Sequence, residues 1–163
     1  MNDDKLTGEF LELVEQHKKM IYKVSHMYCD SESMRMDIFQ EIVINLWKAY
    51  PQFKGKSKIS TWVYRVSLNT AISWFRDNSN HNNHIEYTNL IPSFGEENGT
   101  SELQDKIYNA IEHLGKIDKA LILLQLDGYS YDDIADIIGI TKTNVATKLN
   151  RLKLKLKSHL SNN

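Results

Sequence analysis

The segment Ser130 to Leu160, SYDDIADIIGITKTNVATKLNRLKLKLKSHL, predicts two helices joined by a tight turn. Ser130 is a typical N-cap residue with Asp133 three positions later, and Gly139 is a typical helix stop. The apolar positions between them form one face of a helix of about two turns. They are Ile134, Ala135, Ile137 and Ile138.

The second helix of the pair begins after Thr141, another N-cap type. Its apolar residues recur at spacings of four, three, four and four, which places them in one buried stripe. They are Val145, Leu149, Leu152, Leu156 and Leu160. Leu154 falls on the polar side of this helix, where its apolar side chain has no predicted partner.

The polar side of the second helix carries residue types that contact DNA. Asn and Arg can hydrogen-bond two base-edge atoms, Thr offers a hydroxyl and a methyl, and Lys contacts phosphate. The candidates are Lys142, Thr143, Asn144, Thr147, Lys148 and Arg151, with Asn150 on the same side. In a helix-turn-helix the N-terminal part of the second helix meets the bases, which favours Thr143, Asn144 and Thr147. The alternative is a small helical hairpin with a solvated basic face.

The charge distribution also indicates a polyanionic partner. The 163 residues carry a net charge of −1, but residues 51–76 carry +5 and residues 142–163 carry +6, and neither block contains an acidic residue. Residues 1–50 carry −3 and residues 77–141 carry −9. Two separate basic blocks predict two separate contacts with nucleic acid.

Other features of the sequence argue against a membrane protein, a secreted protein and an enzyme. No apolar run approaches the roughly 18 residues of a membrane span, and the N-terminus does not resemble a signal peptide, so we expect a cytoplasmic protein without membrane insertion. Cys29 is the only cysteine, which excludes an intramolecular disulfide and a cysteine-rich zinc site. We find no phosphate loop, nucleophile elbow or zinc-spaced cluster, and therefore expect no enzyme activity, cofactor or metal.

The N-terminal half predicts three helices. The first spans residues 7–28 with Thr7 as its cap, and the second runs from Met34 to Tyr50 and ends at Pro51. A basic loop follows around Gly55, and the third helix spans residues 60–75. On the second helix, Asp37, Glu41, Asn45 and Lys48 lie opposite the apolar face, with Gln40 and Ile44 beside them.

The loop and the third helix combine cations with aromatic residues. Lys54, Lys56 and Lys58 lie in the loop, and Trp62 lies at the margin of a helix side that carries Arg65 and Asn69. This combination suits single-stranded nucleic acid, because bases stack on aromatic rings while cations hold the backbone. The alternative is that the aromatic residues Trp62, Tyr64, Trp74 and Phe75 only form the core.

Residues 77–101 are rich in Asn, Ser, Gly and His and contain no Lys or Arg, which predicts a flexible linker. His81 and His84 in this segment have no defined third ligand for a metal.

Two further helices, one capped by Ser101 and one from about Asp118 to Leu126, complete the C-terminal half. We therefore predict an all-α fold of two small helical domains, residues 1–76 and 102–163, joined by the linker.

Both halves resemble the extracytoplasmic-function (ECF) group of bacterial sigma factors, in the family's order and spacing. The segment MDIFQEIVINLWKAYPQFKGKSKISTWVYRVSLNTAISWFRD, residues 36–77, resembles sigma region 2. LGKIDKALILLQLDGYSYDDIADIIGITKTNVATKLNRLKLKLKSHL, residues 114–160, resembles the helix-turn-helix of sigma region 4. The resemblance covers roughly residues 8–76 and 103–160.

The resemblance implies three sets of contacts. Core RNA polymerase would be met by Asp37, Gln40, Glu41, Asn45 and Lys48. The melted minus-10 promoter strand would be held by Lys54, Lys56, Lys58, Ser60, Trp62, Arg65 and Asn69. The minus-35 duplex would be met by Lys142, Thr143, Asn144, Thr147, Lys148 and Arg151. An anti-sigma factor that holds the protein inactive is a further implied partner.

Three positions depart from the family pattern. Gly115 stands where Pro is usual, Ser73 where Asp is common, and Ala146 where Lys is typical. Ala in place of this Lys would weaken a phosphate or base contact, so the resemblance does not imply a promoter sequence. The competing hypothesis is a polymerase-independent helix-turn-helix regulator, in which the N-terminal half serves oligomerisation or sensing.

Overall fold

A computed structural model of the protein describes residues 2–29, 31–79 and 102–162. The described residues form two compact units, one before and one after residues 80–101. The regular structure of the described residues is helical, without a strand. The two predicted helical units are therefore present.

The N-terminal unit consists of α1 (Asn2–Met27), α2 (Glu32–Ala49), a 3₁₀ turn (Tyr50–Gln52) and α3 (Ile59–Ser79). Each of its α-helices packs against the other two. The centre is formed by side chains with almost no exposed surface, which occupy the apolar stripe of each helix. They are Ile21, Val24, Ile38, Ile42, Leu46, Val63, Tyr64, Leu68 and Ala71.

Two buried serine hydroxyls in this core are paired within their own helices. Ser25 Oγ donates to the Ile21 carbonyl at 2.8 Å, and Ser67 Oγ donates to the Val63 carbonyl at 2.7 Å. A buried hydroxyl without a partner costs free energy, so these bonds allow small polar residues at helix contacts. Cys29, just beyond α1, is 3% exposed, and its carbonyl accepts a hydrogen bond from Arg35 Nε at 3.2 Å.

Two boundaries predicted in this unit are wrong. α1 begins at Asn2, and Thr7 is not its cap, because Thr7 Oγ1 donates to the Asp3 carbonyl at 2.7 Å from inside the helix. α3 continues to Ser79, so residues 77–79 belong to a helix and not to the linker. α2 is capped by Ser31 Oγ, which accepts from the Met34 N–H at 3.2 Å. The rest of the predicted linker, with His81 and His84, lies outside the described residues.

The C-terminal unit consists of α4 (Glu102–Glu112), α5 (Lys116–Leu126), α6 (Tyr131–Ile138) and α7 (Lys142–Ser161). α7 packs against each of the other three helices. Its apolar stripe is buried at Val145, Leu149 and Leu152 and becomes half-buried at Leu156 and Leu160. The predicted Ser101 cap of α4 lies outside the described residues.

Replacing Gly139 by Ala is expected to lower the free energy of unfolding of the C-terminal unit by about 1–2 kcal/mol, because Gly139 has φ +81°. Gly8→Ala is the matched control. Gly8 lies inside α1 with nothing within 4 Å of an added methyl, so this change should stabilise the N-terminal unit by about 0.5–1 kcal/mol.

The two effects can be measured separately in urea. Trp47, Trp62 and Trp74 all belong to the N-terminal unit, so tryptophan fluorescence follows that unit, whereas far-UV circular dichroism follows both. A stabilising effect at both glycines would contradict a requirement for left-handed backbone at Gly139.

Candidate functional site

Each helix of the helix-turn-helix has a side-chain cap at its N-terminus. Ser130 Oγ accepts from the Asp133 N–H at 3.1 Å, and Thr141 Oγ1 accepts from the Asn144 N–H at 3.1 Å. Between them the Gly139 N–H donates to the Ala135 carbonyl at 2.9 Å. These bonds fix where α6 ends and α7 begins, and therefore which α7 side chains face outward.

All six side chains predicted to contact the minus-35 duplex are exposed, and together they form what we call the α7 polar face. Its members are Lys142, Thr143, Asn144, Thr147, Lys148 and Arg151. Asn150 is also exposed. Leu154 lies on the polar side of α7 as predicted and is 69% exposed.

The α7 polar face has a positive electrostatic character. α7 contains no acidic residue, and the positive end of its helix dipole coincides with Thr143 and Asn144. Lys142 Nζ contacts Asp132 Oδ2 of α6 at 3.0 Å, but both side chains are well exposed. Exposed pairs of this kind contribute little to stability, so Lys142 can exchange this carboxylate for a phosphate.

Just before α6, burial raises the pKa of Tyr129, and the negative charges of Asp127 and Asp133 raise it further. Burial alone raises the pKa of Tyr28 in the N-terminal unit. Both phenols are therefore neutral at physiological pH, and neither opposes the approach of a polyanion.

On α2 the predicted polymerase contacts lie along one outward-facing line. Asp37, Gln40, Glu41 and Lys48 are exposed, and we call these four residues the α2 stripe. Asn45 is different from its neighbours, because it is half-buried and its Nδ2 donates to Thr70 Oγ1 of α3 at 3.2 Å. Part of its hydrogen-bonding capacity therefore serves the packing of α2 on α3.

The predicted minus-10 residues lie in the loop after the 3₁₀ turn and along α3. Lys54, Lys56, Lys58 and Asn69 are exposed, whereas Ser60, Trp62 and Arg65 are half-buried. The Trp62 ring lies 5.0 Å from Phe53 and 6.4 Å from Tyr50, measured between ring centroids. Trp62 is therefore positioned by aromatic neighbours while part of its ring stays accessible.

The sequence left open whether the four aromatic residues of α3 contact nucleic acid or only form the core, and the structure shows that they differ in burial. Tyr64 is buried in the core, whereas Trp74 and Phe75 are half-buried near the end of α3. Neither alternative applies to all four rings, because a run of aromatic residues on a helix points in several directions.

A groove of about 310 Å³ lies between α2 and α3. It brings together Glu41 and Asn45 from the predicted polymerase set with Asn69 from the predicted minus-10 set. Its remaining lining residues were not among the predicted contacts and are Thr70, Ser73, Trp74, Asp77 and Asn78. Asn69, Ser73 and Asp77 are spaced four residues apart, a signal in the sequence that they share one side of α3.

Among the described residues, no group of three or more His, Cys, Asp or Glu side chains is positioned to hold a metal ion. Within the same ranges, no helix is long and apolar enough to cross a membrane.

Two family models match the chain. The model described as Sigma-70 region 2 matches residues 13–81, and the model described as Sigma-70, region 4 matches residues 104–156. These ranges contain every residue of the three predicted contact sets.

Individual proteins are similar over most of the chain. The RNA polymerase sigma factor SigZ of Bacillus subtilis (strain 168) is 27% identical over 161 residues, which cover 98% of this chain and 88% of SigZ. The ECF RNA polymerase sigma-E factor of Escherichia coli (strain K12) is 30% identical over 131 residues, which cover 72% of this chain and 69% of that protein.

A solved structure shares the fold. The sigma factor RpoE from Bartonella quintana, crystallised in complex with the anti-sigma factor NepR, matches with a TM-score of 0.71. The match covers 99% of this chain and 98% of the other at 21% identity.

Proposed function

Because the chain belongs to the ECF group of the sigma-70 family and is an RNA polymerase sigma factor that directs transcription initiation, we propose a division of this task between its two units. The N-terminal unit binds core polymerase through the α2 stripe and holds the minus-10 element through the basic loop and α3. The C-terminal unit binds the minus-35 element through the α7 polar face. Residues 80–101 link the two units, and catalysis stays with polymerase.

The observation that carries this proposal is the α7 polar face. Six side chains of DNA-contacting types are exposed on a helix whose start is fixed by the Thr141 cap and whose opposite side is buried. A helix presented in this way fits the major groove, with its N-terminal residues against base edges.

In the N-terminal unit, we propose that Trp62 stacks on a base of the melted minus-10 strand. Unstacking a base costs a few kcal/mol, and stacking on an aromatic side chain offsets roughly 1–3 kcal/mol of it. Phe53 and Tyr50 hold the Trp62 ring in place, which lowers the entropy lost on binding. Lys54, Lys56 and Lys58 are exposed in the loop that precedes α3 and would contact the phosphates.

We also propose that an anti-sigma factor regulates this chain. The support is the similar fold of RpoE, which was crystallised with the anti-sigma factor NepR. The α2 stripe is the surface where such a partner would block polymerase.

Run-off transcription with purified core polymerase tests the proposed function. Specific RNA starts should require this chain and no other sigma factor. A chain that binds duplex promoter DNA but supports no initiation would instead fit the alternative, a polymerase-independent helix-turn-helix regulator.

Arg151→Ala is expected to weaken binding to the minus-35 duplex by about 1–3 kcal/mol and to relax specificity at one base position, because Arg151 is exposed on the α7 polar face and can bond a base edge in two places. Fluorescence anisotropy of labelled promoter DNA at several salt concentrations measures both effects.

Lys157→Ala is the control for Arg151, since it removes one cation of the same helix far from its N-terminus. It should leave the preference for one promoter sequence over another unchanged, because a contact with phosphate carries no sequence information. A uniform loss for Arg151→Ala as well would assign Arg151 to phosphate contact.

A further inference from the structure

We propose that the groove between α2 and α3 receives an arginine or lysine side chain of core RNA polymerase, held between Glu41 and Asp77 and against the ring of Trp74. This α2–α3 groove would extend the polymerase contact from α2 onto the last turns of α3. The inference rests on the proposed role of the α2 stripe.

The charges of the lining residues favour a cation. Glu41 contributes a carboxylate from α2, Asp77 contributes one from α3, and no Lys or Arg lines the groove. The remaining polar groups are amides and hydroxyls, which can accept hydrogen bonds from a guanidinium or an ammonium group.

The ring of Trp74 is a second reason to expect a cation in the groove. Its half-buried indole lines the same groove, and a cation over the face of a Trp ring is attracted by the ring's negative face. Arg makes such contacts more often than Lys, and its planar fork also matches carboxylates in two places.

The groove can accept a new partner without a large rearrangement. Asn45 of α2 is hydrogen-bonded to Thr70 of α3 at 3.2 Å, which fixes the two walls of the groove relative to each other. Asp77 Oδ1 contacts Arg76 Nε at 3.2 Å, but both side chains are about two-thirds exposed or more. This exposed ion pair contributes little to stability, so a cation from polymerase can bind Asp77 together with Arg76 or in its place.

A nucleobase is the competing occupant, because amides and an aromatic ring also suit a base. The two carboxylates argue against it, since they repel the phosphates that accompany every base. The groove also opens beside Glu41 of the α2 stripe, where polymerase is proposed to dock.

The test compares Asp77→Asn, Trp74→Ala and the wild type as full-length chains labelled with a fluorophore and titrated with core polymerase. Asp77→Asn should weaken binding by about two- to fivefold, as for an exposed ion pair, and Trp74→Ala by about fivefold or more. Glu12→Gln, which neutralises an exposed carboxylate of α1 outside the groove, should change nothing.

Asp77→Asn keeps the test valid if Trp74→Ala disturbs the fold, because Asp77 is largely exposed. Its effect should also diminish as salt is raised. Core binding unchanged by Asp77→Asn would overturn the proposal.

A second titration tests whether a nucleobase occupies the groove instead. Assembled holoenzyme is titrated with a single-stranded minus-10 oligonucleotide. Weaker oligonucleotide binding with unchanged core binding would assign the groove to DNA and overturn the proposal. The double variant Asp37→Ala with Glu41→Ala, measured in parallel, distinguishes a failure of the proposed α2 stripe from a failure of the groove assignment. If that double variant binds core normally, the proposed role of the α2 stripe fails; if it weakens binding while Asp77→Asn does not, only the groove assignment fails.

Discussion

Replacing Leu149 by Ala is expected to lower the free energy of unfolding of the C-terminal unit by about 2–5 kcal/mol. Leu149 has no exposed surface and lies in the middle of α7, the helix that packs against α4, α5 and α6. Truncation removes apolar contacts and leaves a cavity that close-packed neighbours fill only in part. The variant should therefore lose minus-35 binding although no DNA-contacting side chain has changed.

The size of this loss matters because the unit is small. A domain of about 60 residues has a total stability of roughly 3–9 kcal/mol, so the change removes a large share of it. Urea unfolding followed by circular dichroism measures the loss directly.

Leu154→Ala is the matched control for Leu149→Ala. It makes the same substitution on the same helix, but Leu154 is 69% exposed, so the expected change is within about 0.5 kcal/mol. Similar losses at the two positions would mean that α7 does not bury the stripe described above.

The double change Asp37→Ala with Glu41→Ala is expected to weaken binding to core polymerase by about 30-fold or more, equivalent to roughly 2 kcal/mol. The two carboxylates lie one turn apart on the exposed α2 stripe. If polymerase buries them against cations, their removal leaves those cations unpaired in the interface, and that penalty adds to the lost attraction. Titration of labelled chain with core polymerase gives the dissociation constant.

The control is Glu12→Ala with Glu15→Ala, which removes two exposed carboxylates from α1 and changes the net charge equally. Because α2 stripe residues are exposed, circular dichroism should show an intact fold for both doubles. Equal weakening by the two doubles would indicate a general charge effect and not a docking surface.

Local signals explain why the helix-turn-helix was predictable. Ser130, Gly139 and Thr141 act within one turn of their own positions, and the hydrogen bonds of Ser130 and Thr141 confirm the predicted caps. The spacing of Val145, Leu149 and Leu152 then determines which side of α7 is buried, and so which side can meet DNA.

The ends of helices without such signals were not predictable in the same way. Thr7 has a typical N-cap side chain, but its hydroxyl bonds the carbonyl one turn earlier and so fits inside a helix. At the end of α3, Asn78 Nδ2 donates to the Trp74 carbonyl at 2.8 Å, so this side chain also bonds the preceding turn from inside a helix. Composition alone indicated a linker at these residues.

The α2–α3 groove could not be predicted because it depends on how two helices meet. Periodicity shows that Asn69, Ser73 and Asp77 share a side of α3, but not that this side faces Glu41. That juxtaposition follows from the packing register of α2 on α3, which the buried side chains of both helices decide together.

The position of Cys29 has a practical consequence for studying the protein. It is the only cysteine and is 3% exposed, so maleimide dyes should react with it slowly. Cysteines introduced at exposed sites, such as Glu12 in α1 and Asn150 in α7, can then be labelled selectively in an otherwise native chain. Energy transfer between two such dyes would report how the separation of the units changes as polymerase and promoter bind.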